Sequence, residues 1–204
     1  MCYKTFPDGY TYLDKIDLQN NKKQFWLVNL LSNGILILFI VIGFFIVNPV
    51  EAITGNELAF FELFFPLLML IVGLVAYIIL HELTHGVFLF AFTKVNPKFG
   101  FVGWAAHCGN SAYCDKPRYI IVALAPVILW GIVFASLNVV CSAGIWFWVI
   151  WLLQGCNIGG AAGDLFVIYK MLRYPKDILV QDTGLAMSVF RRKTAEELQK
   201  EVIK

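Results

Sequence analysis

Residues 63–93 read LFFPLLMLIVGLVAYIILHELTHGVFLFAFT, an apolar run interrupted by three ionisable side chains, His81, Glu82 and His85. A helix that crosses a bilayer needs about 20 consecutive apolar residues, and this stretch exceeds that. Working outward, three more gaps between charges are long enough: 25–47, 119–140 and about 143–169, the last holding Asp164. Composition agrees, since 59% of the 204 residues are hydrophobic and 15% charged, against about 45–50% and about 25% in soluble domains. Mean hydropathy is +0.72. Such a chain has too little polar surface to cover a water-soluble globule, and it is too apolar for disorder. A net charge of +2 argues against nucleic acid as a partner.

The basic residues alternate across the spans. Lys4, Lys15, Lys22 and Lys23 precede the first, and Lys94, Lys98, Lys116 and Arg118 lie between the second and third. Eight more follow from Lys170 onward, and the connections 48–62 and 141–144 hold none. The positive-inside rule then predicts an all-α cell-membrane protein with four transmembrane helices and both termini cytosolic. Residues 1–24 lack the basic start, apolar run and small-residue cleavage site of a signal peptide, so the first span is expected to be retained. Five cysteines without a CxxC pair, three of them on the cytosolic side, argue against a disulfide framework.

The expected organisation is a cytosolic segment 1–24, a four-span membrane domain 25–170 and a cytosolic tail 171–204. Between spans two and three, Lys98 to Lys116 reads as a small β-hairpin turning at Gly109-Asn110. In the tail, Gly184 to Phe190 reads as a short strand. Thr194-Ala195-Glu196-Glu197 then fits a capping box that opens an amphipathic helix running to Lys204.

His81-Glu82-Leu83-Thr84-His85 carries the chemistry. Side chains four apart stand one above the other on a helix, so both imidazoles reach one Zn²⁺ while Glu82 stands beside it as a base. Ionisable groups at bilayer depth cost roughly 2.5–3.5 kcal/mol each and are rarely idle. Catalytic zinc takes three protein ligands as a rule, and Asp164 is the one other acid within a span. At about 1.5 Å per residue, His81 and His85 lie about 20 and 13 Å inward of Lys94, and Asp164 about 9 Å inward of Lys170. Allowing for tilt or a local break in the glycine-rich fourth span, the three can meet in the cytosolic half of the bilayer. Gly155, Gly159 and Gly163 form overlapping GxxxG steps that would let the fourth span approach the second. Glu196 or Glu197 is the competing third ligand, disfavoured because it follows Arg191-Arg192-Lys193 on a solvated helix. His107 reads as a partly exposed loop histidine. Trp26, Tyr119, Trp146, Trp148 and Trp151 read as interfacial anchors.

His81 to Gly86, Ala112-Tyr113-Cys114, Leu124-Ala125-Pro126 and the stretch from Asn157 to Gly163-Asp164-Leu165 together resemble the zincin peptidases of bacterial multi-pass membrane proteins. The likeness covers most of the chain. More distantly the chain is similar to the site-2 proteases, although no proline follows Asn157 and Gly163 and Leu165 replace the expected neighbours of Asp164. The resemblance implies His81, His85 and Asp164 as zinc ligands, Glu82 as general base and Asn157 as a transition-state or positioning residue. The expected activity is hydrolysis of a peptide bond in a membrane protein or peptide near the cytosolic side. The rival from another class is a metal carrier or sensor without hydrolytic activity. Against it stands Glu82, an acid beside the metal that transport does not need and hydrolysis does. Four spans without an internal repeat also lack the paired halves common in carriers.

Overall fold

The computed structural model describes residues 1–18, 20–54, 60–103 and 105–202. Trp104 of the expected hairpin, positions 55–59 of the connection 48–62 and the last two positions of the terminal helix lie outside the described residues. In chain order the elements are β1 (Cys2–Tyr3), β2 (Tyr10–Ile16), α1 (Lys22–Ile46), α2 (Pro49–Thr54), α3 (Phe60–Thr93), β3 (Lys98–Val102) and β4 (Ala105–Gly109). There follow β5 (Tyr113–Asp115), α4 (Lys116–Val140), α5 (Gly144–Gly160), α6 (Ala162–Arg173), β6 (Ile178–Asp182), β7 (Met187–Arg192) and α7 (Ala195–Val202). Among the described residues, four stretches are long and apolar enough to cross a membrane: Lys22–Ile46, Leu63–Thr93, Lys116–Val140 and Gly144–Arg173. Large side chains such as Leu30, Phe45, Leu67 and Ile132 stand exposed on them, a surface suited to lipid rather than water.

The chain divides into two compact units, and one comprises 26–81 and 126–164. Its core gathers Tyr77, Phe134, Val149, Ile150 and Leu153, with Leu70, Leu74 and Trp130 packed against them. The glycine ridge of α5 faces α1. A Cβ on Gly155 would lie 3.2 Å from Leu36 and Phe39 atoms, and one on Gly159 would lie 3.0 Å from the Ser32 carbonyl oxygen. The ridge therefore seats the first span, not the second as expected. The approach to α3 instead uses Gly73, whose missing Cβ leaves room for Leu153. Trp148 is buried, and the Trp151 indole donates to the Phe39 carbonyl at 2.7 Å, so these two rings are packing groups.

The other unit comprises 1–25, 82–125 and 165–204, and it corrects the all-α reading. A five-stranded sheet runs in the order β1-β5-β6-β7-β2, with every neighbouring pair antiparallel. Its core is apolar: Ile178, Leu179, Val180 and Val189 are buried together with Met171 of α6. The segment before the first span thus pairs with the segment after the last. The hairpin exists as β3–β4, but it turns after Val102, which stands opposite Ala105. Gly103, at φ +60, has the positive φ that tight hairpin turns favour.

Gly109-Asn110 looked like the turn for another reason. A Cβ on Gly109 would lie 2.2 Å from the Gly184 amide nitrogen, and buried Asn110 donates to Thr93 Oγ1 at 3.0 Å. A close backbone approach and a buried polar anchor produced the same residues that a turn would. A second correction concerns cysteine. Cys2 and Cys114 face each other across β1 and β5, their Cα atoms 4.2 Å apart, and are disulfide-bonded. Spacing in the chain gave no sign of it, because 112 residues separate them. Tyr119 is buried and its hydroxyl donates to Asp182, so it is not an interfacial anchor. The capping box forms as expected. The Thr194 amide donates to Glu197 Oε2 at 2.8 Å, and the Glu197 amide donates to Thr194 Oγ1 at 3.4 Å.

Candidate metal centre

Helix α3 continues unbroken from Tyr77 through His85, so residues 77, 81 and 85 fall one turn apart on one face. Asp164 comes from the first turn of α6, where the helix N-terminus is a favourable place for a carboxylate. That turn exists because the fourth span breaks at Ala161, between α5 and α6. His81 Nε2 and Asp164 Oδ2 lie 3.3 Å apart. One ligand atom from each of His81, His85 and Asp164 lies within 4.8 Å of the other two.

The donor set suits zinc. Metal–ligand bonds of about 2.0–2.2 Å place tetrahedral neighbours about 3.4 Å apart, and the 3.3 Å between His81 and Asp164 already has that separation. Two imidazole nitrogens and a carboxylate oxygen are also the hardness that zinc accepts. Three protein ligands is the number that catalytic zinc sites use.

Each histidine is held by its other nitrogen. His85 Nδ1 donates to the Val122 carbonyl at 2.9 Å. Pro126 explains why that carbonyl is available: inside α4 a proline has no N–H to give the residue four before it. His81 Nδ1 lies 2.9 Å from the Tyr77 hydroxyl, which lies 3.0 Å from Asn157 Oδ1. Asn157 Nδ2 donates to the Val127 carbonyl at 3.1 Å. Tyr77 was missed in the sequence. Its signal was a lone hydroxyl in an aliphatic run, one turn before the first histidine.

Glu82 follows His81 directly, and its carboxylate is one cause of the raised pKa of Cys108, which burial above all pushes up to about 12, with Asp182 adding. That thiol stays protonated near neutral pH and is no nucleophile. Gly86 serves the hairpin. A Cβ there would meet the Phe99 ring at 2.4 Å, so the glycine after the second histidine seats β3 on α3. The His107 ring lies across Gly100, its strand partner, and His107 is not in the metal group. Glu197, the competing third ligand, is engaged by Arg191 at 2.7 and 2.9 Å.

A family model described as "Putative zincin peptidase" matches residues 74–179, which include Tyr77, both histidines, Glu82, Pro126, Asn157 and Asp164. The chain belongs to that family. No curated protein and no solved structure matches the chain. Membership in the zincin peptidase family supports a zinc metallopeptidase, in keeping with the donor set.

Proposed function

We propose that the protein is a zinc-dependent, membrane-embedded endopeptidase that cuts a membrane-associated protein near the cytosolic side of the bilayer. The observation that supports this reading is the grouping of His81, His85 and Asp164 within apolar helices and beside Glu82. His81, His85 and Asp164 would hold the ion. Zinc bound there supplies Lewis acidity, polarising a carbonyl and making water a stronger acid.

The chain's own residues do the rest. Glu82 takes a proton from the attacking water and returns one to the leaving amine nitrogen, which keeps the proton count balanced through cleavage. Burial of the two histidines (His81 is 8% exposed and His85 9%) limits bulk water and strengthens the polar contacts around the reacting bond. A peptide must be extended to be cut, and the β3–β4 hairpin offers an edge to which an extended substrate could add as a strand.

The test uses the full chain in lipid vesicles. The parent should contain about one zinc per chain by elemental analysis, as three protein ligands imply. Glu82→Gln should keep that zinc and lose cleavage of a membrane-protein substrate by a factor of about 10² or more, the usual contribution of a general base. Zinc that survives loss of both His81 and His85 would overturn the reading. So would a Glu82→Gln variant that cleaves as fast as the parent. Metal movement across the vesicle by both proteins, with cleavage by neither, would favour a carrier.

A further inference from the structure

The buried contacts around Tyr77 have a direction, and one atom sets it. The Val127 carbonyl oxygen can only accept, so the Asn157 nitrogen 3.1 Å away donates to it. That fixes the amide, and its oxygen must be the atom facing Tyr77. An amide oxygen also only accepts, so the one proton of the Tyr77 hydroxyl is spent on Asn157 Oδ1 at 3.0 Å. Toward His81 Nδ1, 2.9 Å away, the hydroxyl can then act only as acceptor. Nδ1 must therefore carry the proton. Flipping the amide would set two acceptors against each other where Asn157 is 0% exposed, the arrangement a buried polar group tolerates least.

Resting on the metal reading of His81, we infer that Tyr77 and Asn157 are positioning residues that hold a proton on His81 Nδ1, so that Nε2 is the nitrogen offered to a metal. A neutral imidazole has one protonated and one bare nitrogen. Free histidine in water favours the proton on Nε2, the form that cannot ligate through that atom. The chain His81 Nδ1–H to Tyr77 to Asn157 to Val127 reverses the preference. It turns Nε2 toward Asp164 Oδ2, 3.3 Å away. The donor and acceptor of the Asn157 amide are both engaged by protein groups, so Asn157 acts through His81. Partners of this kind behind a metal histidine set its tautomer and orientation.

The experiment reads the tautomer directly. The full-length, metal-free protein, labelled with ¹⁵N at histidine, has three imidazoles, and the His81 signal is the one lost in His81→Gln. Two-bond ¹H–¹⁵N spectra show which ring nitrogen bears the proton, and zinc affinity is measured in parallel by competition with a chelator. The parent should show Nδ1–H at His81. Tyr77→Phe keeps the ring against Phe134 but should move the proton toward Nε2 and weaken zinc about 10- to 100-fold. Asn157→Leu should do the same. A bare Nδ1 at His81 in the parent overturns the inference. So do Tyr77→Phe and Asn157→Leu variants that keep the parent tautomer and bind zinc within about twofold of it, since loss of such a partner costs far more. A parent that binds no zinc refutes the metal reading, while the tautomer spectrum still decides this one.

Discussion

Pro126 illustrates what one residue can do by lacking a hydrogen. A proline inside a helix costs about 3 kcal/mol or more, in part through the hydrogen bond it removes, and here the orphaned Val122 carbonyl is taken by His85. Replacing it has opposite effects on stability and on the site. Pro126→Ala restores an N–H that competes for Val122, so the protein should melt at a higher temperature. His85 loses its sole claim on that acceptor, and zinc affinity should fall about tenfold, the lower end for losing such a support. Thermal unfolding and chelator competition on the same sample check both signs. Unchanged zinc affinity would mean that Val122 does not orient His85.

Among the elements, the terminal helix shows a start signal that works locally. Thr194 and Glu197 each donate a backbone amide to the other's side-chain oxygen across the first turn of α7, and Glu197 also pairs with Arg191. The side-chain hydrogen bonds from Arg191, before the amide of Thr194, lower the Glu197 pKa from 4.5 to about 2. A depressed carboxylate stabilises the fold above its unfolded pKa and ceases to do so as pH falls through its folded pKa. The cap should therefore be at full strength above pH 4.5 and fade as the pH approaches 2. Amide exchange over 195–202 should accelerate across that window, and in Glu197→Gln it should already be fast at pH 6 and show no such acid step. Because both partners are only partly buried, the effect should be confined to α7.

On the scale of the whole molecule, a disulfide joins the start of the chain to β5, and β5 leads directly into α4. The loop it closes spans 112 residues, and cross-links of long loops contribute on the order of 2–4 kcal/mol. Reduction, or replacement of Cys2 and Cys114 by serine together, should lower the melting temperature and speed amide exchange in 2–3 and 113–115. Zinc content should not change, since neither cysteine is in the metal group. The alternation of basic residues supports a further expectation for the intact protein, with both termini and the hairpin cytosolic. An impermeant thiol reagent applied to intact cells should label a cysteine introduced at Asn48 and spare one introduced at Lys98. The reverse pattern would place the metal centre nearer the opposite face and move the proposed cleavage with it.

The spans, the HExxH pair and the capping box were legible in the sequence because each depends on neighbours within a few positions. Hydropathy accumulates along one helix, His81 and His85 are four apart, and Thr194 needs only Glu197. Asp164 was found by elimination, as the one other acid within a span, and its meeting with His81 waited on the break at Ala161. The sheet that joins β2 to β7, the link from Cys2 to Cys114 and the contact of Tyr77 with Asn157 were decided by the tertiary structure alone. Each brings together residues 80 or more positions apart or pairs edges whose patterns fit several partners. Hydrogen bonds carry no trace in a linear pattern when their direction is set, as at Val127, by a carbonyl that every residue possesses.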